Sequence, residues 1–211
     1  MLPYQRGAGR APAAGGRVRT PYAADVGRRD DAGRQGRRHS AGSRRMTTEW
    51  TTYLVRAVPF DHPAAVDLRA AMTEEMNQRY GDRFSGPGTA PVTVEAGSVV
   101  FTGVAFDAGR AVGHILLRRL DEEIEIKRMY VVPSHRGSGV ARGLLAAAER
   151  AARDLGAARV ILHTGDRQPE AIRLYEREGY TRIPLYPPYT AMTYSTCFEK
   201  PLGGGAAASE Q

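Results

Sequence analysis

A mixed α/β (α+β) domain, with helices on the faces of a central sheet, is the fold class that three features of this 211-residue sequence predict. Between about residues 50 and 202, apolar segments follow one another in the order β-α-β-β-β-α-β-α-β. One of them, beginning near Gly139, sets Val140, Leu144, Leu145, Ala148, Ala152 and Leu155 on a single helical stripe. Glycine or proline marks most of the boundaries, where helices stop and strands turn.

Residues 52–58 alternate in polarity as a short strand does, and Pro59 ends it. Asp61 is the expected cap of a helix with Pro63 just inside. That helix runs to about Tyr80, with Ala65, Leu68, Met72 and Met76 near helical spacing and Gly81 as its stop. Gly86-Pro87-Gly88 predicts a loop. Residues 98–106 and 111–119 are apolar strands, joined by Asp107-Ala108-Gly109-Arg110, a hairpin turn in composition. Leu120-Asp121-Glu122 turns again into a strand over 124–132. The striped helix from Gly139 stops at Gly156, and a short buried strand follows at 160–163. Pro169 opens a further helix that Gly179 closes, and 192–198 is the last strand.

The flanks differ in kind. Residues 1–45 are almost wholly Gly, Ala, Arg, Pro and Ser, with 11 Arg against 3 Asp, an excess of eight positive charges. The whole chain carries +7, so the rest is close to neutral. A basic chain ordinarily suggests nucleic acid or an anionic membrane as partner. Here the charge sits where too little apolar material offsets ordering entropy and few aromatics are present to stack bases. A disordered basic leader over 1–45 is expected, with no nucleic-acid or membrane partner. Met46-Thr47-Thr48-Glu49 has the look of an alternative start. The Gly/Ala-rich 203–211 is expected to be a flexible tail. No apolar h-region follows the arginines, and no apolar run has transmembrane length. Cys197 is the single cysteine and no Cys/His cluster has metal-site spacing, so no metal and a cytoplasmic location are expected.

Arg136-Gly137-Ser138-Gly139-Val140-Ala141 lies between a strand and a helix. Glycines there permit a tight bend, and successive N–H groups at a helix start suit a pyrophosphate. A P-loop would need Gly-Lys-Ser/Thr at the end, and a dinucleotide fingerprint would need glycine where Arg142 stands. Taken alone, the loop is equally compatible with a purely structural turn.

The wider stretch 126–142 (IKRMYVVPSHRGSGVAR) resembles the acetyl-CoA signature of the GNAT superfamily of N-acetyltransferases, Gln/Arg-x-x-Gly-x-Gly/Ala, filled by Arg136, Gly139 and Ala141. The stretch 168–180 (QPEAIRLYEREGY) is similar to that superfamily's second signature, through Ala171, Leu174, Tyr175, Gly179 and Tyr180, with Gln168 where Asn is commoner. The resemblance covers about residues 50–200. It implies a mixed, mostly antiparallel sheet, splayed at its centre and flanked by helices on both faces. It also implies acetyl-CoA as co-substrate, with pantetheine filling the splay along backbone groups of Met129 and Val131. The Val131 N–H would polarise the thioester carbonyl, the amides of Arg136, Gly137, Ser138, Gly139, Val140 and Ala141 would hold the pyrophosphate, and Gln168 would touch pantetheine.

Aminolysis of a thioester needs a neutral amine and a proton for the departing thiolate. The resemblance puts a general base at Glu125 in some relatives. The alternatives are a strand carboxylate paired with Lys127 or Arg128, and Glu123, two residues away on the same face. Tyr175 is the implied proton donor, a phenol of reference pKa ~10 expected to serve a thiolate of ~8.5. Its alternative is a core aromatic. His114 and His163 are expected to be packed, and His135 and Arg142 to meet phosphates or solvent. Arg69, Glu74, Glu75 and Arg79 read a polar acceptor or form a solvated face. Tyr186-Pro187-Pro188-Tyr189 walls the acceptor pocket or serves a dimer contact. The expected reaction is acetyl transfer to a primary amine on a small molecule by direct attack in a ternary complex. A protein or peptide acceptor and a non-catalytic acyl-CoA-binding module are the competing readings, and a homodimer is the expected assembly by base rate.

Overall fold

The computed structural model describes residues 53–83 and 93–203. The expectations for 1–45, for the 86–88 loop and for the tail past Gly203 concern residues outside the described ones. Strand β1 (Leu54–Ala57) leads into α1 (Pro63–Tyr80). Strands β2 (Val99–Asp107), β3 (Arg110–Leu120) and β4 (Glu123–Val131) follow as a meander. A 3₁₀ turn at Pro133–His135 then precedes α2 (Val140–Asp154). The chain ends with β5 (Arg159–Gly165), α3 (Pro169–Arg177), β6 (Thr181–Ile183) and β7 (Ser195–Pro201).

The strands form a seven-stranded sheet in the order β1-β2-β3-β4-β5-β7-β6. Every neighbouring pair is antiparallel except β4 and β5, which run parallel. That pair is in register only at Glu125↔Ile161 and Ile126↔Leu162. On its other edge β4 stays paired with β3 as far as Gly113↔Val131. From Lys127 onward β4 has therefore parted from β5, and the sheet is splayed at its centre. A bulge accompanies the parting: the β3 register steps from His114↔Tyr130 to Leu116↔Lys127, giving β4 one extra residue, and Arg128 there has φ 52°.

Alternation along the strands fills both faces. Ala105, Ile115, Leu117, Ile124, Ile126, Val160, Leu162 and Phe198 join Val140, Leu144, Leu145, Ala148 and Ala152 of α2 and Tyr175 of α3 in one core. Val104 packs on the opposite face with Ala65 and Leu68 of α1. The α2 stripe forms as expected except for Leu155, which follows the helix and is exposed. Gly113 lets α2 come close to β3, since an added Cβ would lie 2.8 Å from Val140 Cγ1 and 2.9 Å from Leu144 Cδ1.

Three local expectations need correction. His62, not Asp61, caps α1, its Nδ1 accepting from the Ala64 N–H at 3.2 Å. Strand β6 was not expected, because three residues are too few for alternation to register. The final strand begins at Ser195, since Met192 is held in a turn by donation of its N–H to the Tyr189 carbonyl at 2.8 Å.

Candidate active site

The site grows from the free edge of β4. The Val132 N–H donates to Val112 of β3 at 3.0 Å, so alternation turns the peptide groups of Met129 and Val131 the other way, into the gap. The Val131 carbonyl accepts there from Arg136 Nε at 3.0 Å. The chain then bends through Gly137 (φ 78°) and Gly139 (φ 96°). An added Cβ at either would meet nothing within 4 Å, so it is the left-handed backbone that requires glycine. Ser138 braces the bend by donating its hydroxyl to the His135 carbonyl at 2.6 Å. Gly139 caps α2 without a side-chain acceptor, leaving the first-turn amides and the positive helix end for an anion.

A cavity of about 710 Å³ lies against this edge, lined by Met129, Val131, Arg136, Gly137, Gly139 and Ala141, and across from them by Gln168 and Leu174. Ser138 and Val140 are not in its lining. Ser138 is turned to His135, and the Val140 side chain is wholly in the core, so each has only main chain to offer. Ion pairs rim the cavity. Glu75 accepts from Arg136 at 2.5 Å and from Arg79 at 2.8 Å, and Arg79 also pairs with Glu170. Neither reading of the α1 charges fits these, because Glu75 and Arg79 tie α1 to the glycine bend and to α3. Arg69 instead donates to the Phe60 carbonyl at 2.8 Å, and Glu74 pairs with Gln78. His135 lines the same cavity while bonded to Asp107 at 3.1 Å, and Arg142 lies 3.5 Å from Glu178.

A second cavity, of about 170 Å³, shares Met72, Met76, Met129 and Gln168 with the first. It continues between α1 and the segment before β7, where Lys127, Arg128, His163, Tyr189 and Tyr194 line it. Tyr175 lines it too, although its helix belongs to the other face of the sheet, so the phenol reaches it at the parting of β4 and β5. The Tyr175 ring meets Tyr180 edge-on and lies near Phe198, while its hydroxyl is 3.9 Å from Met129 Sδ. Core aromatic and cavity hydroxyl are thus both true of it. Burial holds the phenol proton more tightly than in water. Transfer to a thiolate is therefore uphill, by more than the roughly 1.5 units, or about 2 kcal/mol, that separate the reference values. The expectation of an easy proton donation by Tyr175 is corrected accordingly.

Glu125 is not brought to either cavity. Its side chain is fully buried, one oxygen accepting from Arg118 Nε at 2.6 Å and the other from the Tyr186 hydroxyl at 2.9 Å. The expectation of a base at Glu125 is overturned by this geometry, which leaves it no free oxygen facing an amine. Its rival Glu123 pairs with Arg159 at the surface. The salt-bridge reading of Glu125 holds: Lys127 lies 3.9 Å from its Oε1, and Arg118, its cross-strand neighbour, is the closer partner. Tyr189 completes the cluster: its hydroxyl accepts from Lys127 Nζ at 2.7 Å and Arg118 Nη2 at 3.1 Å, and its ring stacks on His163 at 4.0 Å. Lys127, Arg118 and Tyr80 escaped the sequence reading as site residues. The hairpin register would have paired Arg118 with Glu125, whereas the depth of Lys127 has no sequence signal.

His114 and His163 are packed, as expected. His114 Nε2 faces Arg69 at 3.3 Å, and since a guanidinium only donates, Nδ1 carries the proton given to the Arg128 carbonyl at 2.8 Å. Tyr80 accepts from the Arg167 N–H at 2.8 Å and bonds the Gln168 side chain, fixing where α3 begins. Among the described residues, no group of three or more His, Cys, Asp or Glu is placed to hold a metal ion. None of the described helices is long and apolar enough to cross a membrane.

Comparison with known proteins decides the family, since the model of the acetyltransferase (GNAT) family matches residues 67–180, just over half of the chain. The chain is a GNAT-family member. The GNAT domain is 38% identical over 78 residues to an IAA acetyltransferase of Azospirillum brasilense, covering 37% of this chain and 51% of that protein. It is 30% identical to a crystallised protein of Klebsiella pneumoniae provisionally named an acyl-CoA N-acyltransferase, over 71% of this chain and 97% of that one, with TM-score 0.60. A GNAT acetyltransferase of Elizabethkingia anophelis, solved with acetyl-CoA bound, shares the fold at TM-score 0.52 and 14% identity, over 72% of this chain and 99% of that one. The chain spans about half the length of the curated relatives it matches.

Proposed function

We propose that this GNAT domain transfers the acetyl group of acetyl-CoA to a primary amine on a small molecule, by direct attack in a ternary complex. One observation carries the reading: two cavities meet at Met129 and Gln168, one beside an anion-receptive helix start and the other smaller, between α1 and the segment before β7. The residues fit the thioester substrate. The first amides of α2 suit its diphosphate, and the edge of β4 at Met129 and Val131 offers pantetheine main-chain partners in the manner of an added strand. The Val131 N–H then faces the thioester carbonyl and polarises it as negative charge builds on oxygen.

The amine enters from the smaller cavity. Its nitrogen bonds to the carbonyl carbon as the carbon–sulfur bond breaks, and the proton lost from nitrogen ends on sulfur. Tyr175 stabilises the leaving thiolate by hydrogen bonding. The amine supplies the proton, since its own acidity rises steeply once it is acylated, whereas the phenol holds its proton too firmly. The base role does not fall to Glu125. The smaller volume of this cavity, about 170 Å³ against about 710 Å³, suits a small acceptor.

Calorimetry of CoA binding to the full chain, followed by free-thiol release from acetyl-CoA across an amine panel, tests the reading. Micromolar to millimolar binding with amine-dependent thiol release is expected. No heat of association at millimolar CoA sinks the proposal. Binding with only slow hydrolysis favours a sensor module instead.

A further inference from the structure

We infer that Tyr80 is a positioning residue for acetyl transfer: its hydroxyl holds the Gln168 side chain at the junction of the two cavities, where that side chain meets the pantetheine arm. The inference rests on the acetyl-transfer reading and adds to that same site a residue from the end of α1.

Gln168 lines both cavities, so whatever fixes its amide acts where donor and acceptor meet. It stands at the N-cap of α3, yet its side chain makes no capping bond. Ser, Thr, Asp or Asn at such a position ordinarily turns back to the first amides of its own helix. The Gln168 amide, one methylene further out than that of Asn, is instead hydrogen-bonded to the Tyr80 hydroxyl. The same hydroxyl accepts from the Arg167 N–H at 2.8 Å. One oxygen thus fixes both the backbone of the turn and the side chain that the turn presents.

The end of α1 is built to hold that oxygen in place. The Tyr80 ring lies against Gly165, where an added Cβ would stand 2.8 Å from Cζ and closer still to the hydroxyl, so only glycine admits the ring. Arg79 donates to the Arg167 carbonyl at 3.1 Å, and Arg167 donates in return to the Arg79 carbonyl at 2.6 Å. Arg83 pairs with Asp166 at 2.9 Å. These guanidinium contacts are exposed and individually weak, whereas Tyr80 is only 4% exposed, so its hydroxyl dominates.

A glutamine left to itself keeps several rotamers, and freezing one of them on binding lowers affinity. Tyr80 selects the rotamer in the folded protein beforehand, so pantetheine meets an amide already in place. A carboxamide offers two donors and an acceptor with two lone pairs, and the bond to Tyr80 leaves the others for the amides of the arm.

Calorimetry of CoA binding to the full chain tests this through a double-mutant cycle. Tyr80→Phe keeps the ring and should raise the Kd for CoA about tenfold, with Gln168→Ala raising it at least as much. In the Gln168→Ala background, Tyr80→Phe should change the Kd by less than about twofold, since nothing remains to be positioned. Gln168→Asn keeps an amide but shortens its reach. It should weaken CoA about as much as Tyr80→Phe does and be equally insensitive to the loss of the hydroxyl. A purely structural role for Tyr80 would instead weaken CoA alike in every background. That equal loss, or unchanged affinity in Tyr80→Phe or in Gln168→Ala, overturns the positioning role and leaves the acetyl-CoA reading standing. Absence of CoA binding by the unaltered chain would instead remove the reading beneath it.

Discussion

Tyr175 and Glu125 show how little a residue's place in a motif says about its work. Both were singled out as proton carriers, yet one is anchored by rings with its hydroxyl at the junction of two cavities, and the other is sealed between Arg118 and Tyr186. Tyr175→Phe keeps the packing and removes only the hydroxyl. Turnover should drop more than tenfold with acetyl-CoA affinity little changed, as steady-state kinetics and calorimetry would show. An equal loss in both, or no loss, would return Tyr175 to packing alone. Arg136, Gly137 and Gly139 were legible as a bend because backbone geometry dictates glycine there. The left-handed backbone at Arg128 was not legible, because a bulge leaves no mark on strand periodicity. Glu125 was misjudged because alternation gives a side chain's face and says nothing of what covers that face.

Among the elements, α2 carries the greatest load. Its stripe joins the core beneath it while its first turn opens on the larger cavity. These two duties are coupled through Gly113. Gly113→Ala would press a Cβ against Val140 and Leu144, both in the first two turns of α2. Overpacking of this kind costs about 1–3 kcal/mol. Urea unfolding should register that loss, and CoA affinity should weaken as well, because the displaced turn is the one proposed to hold the diphosphate. Unchanged affinity in the folded variant would detach the helix start from binding. Helices and hairpins were legible because their periods run over many residues and end in Gly or Pro. Strand β6 and the true start of β7 were not, since both depend on which segment lies alongside β7 rather than on local pattern.

At the scale of the whole molecule, one buried and one partly buried histidine set an acid limit. Burial lowers His114 to about 4, and burial with the nearby Lys127 lowers His163 to about 3, both below the ~6.5 of an unfolded chain. Between pH 6.5 and those values the unfolded chain takes up protons that the native one refuses, so stability falls as pH falls. By pH 5 each histidine should have removed roughly 2 kcal/mol relative to pH 7. Thermal unfolding across that range should show the decline, and His163→Gln should lessen it by about half. A flat profile would contradict the burial argument. The mixed architecture itself was legible in the order of elements. The parting of its central strands was not, for it is a matter of register and came only through family resemblance.

That parting has a thermodynamic corollary. Two residue pairs are all that put β4 in register with β5, so the β1–β4 and β5–β7–β6 halves of the sheet have a slot along their seam. A thioester arm lying in the slot would bridge them, and a ligand that binds only the native state raises its melting temperature. Amide hydrogen exchange at Met129 and Val131 should be quick without CoA and slow with it, while the β3 side of the same strand barely changes. The acyl donor would then be part of the architecture as well as a reactant, and depletion of CoA would leave the protein easier to unfold.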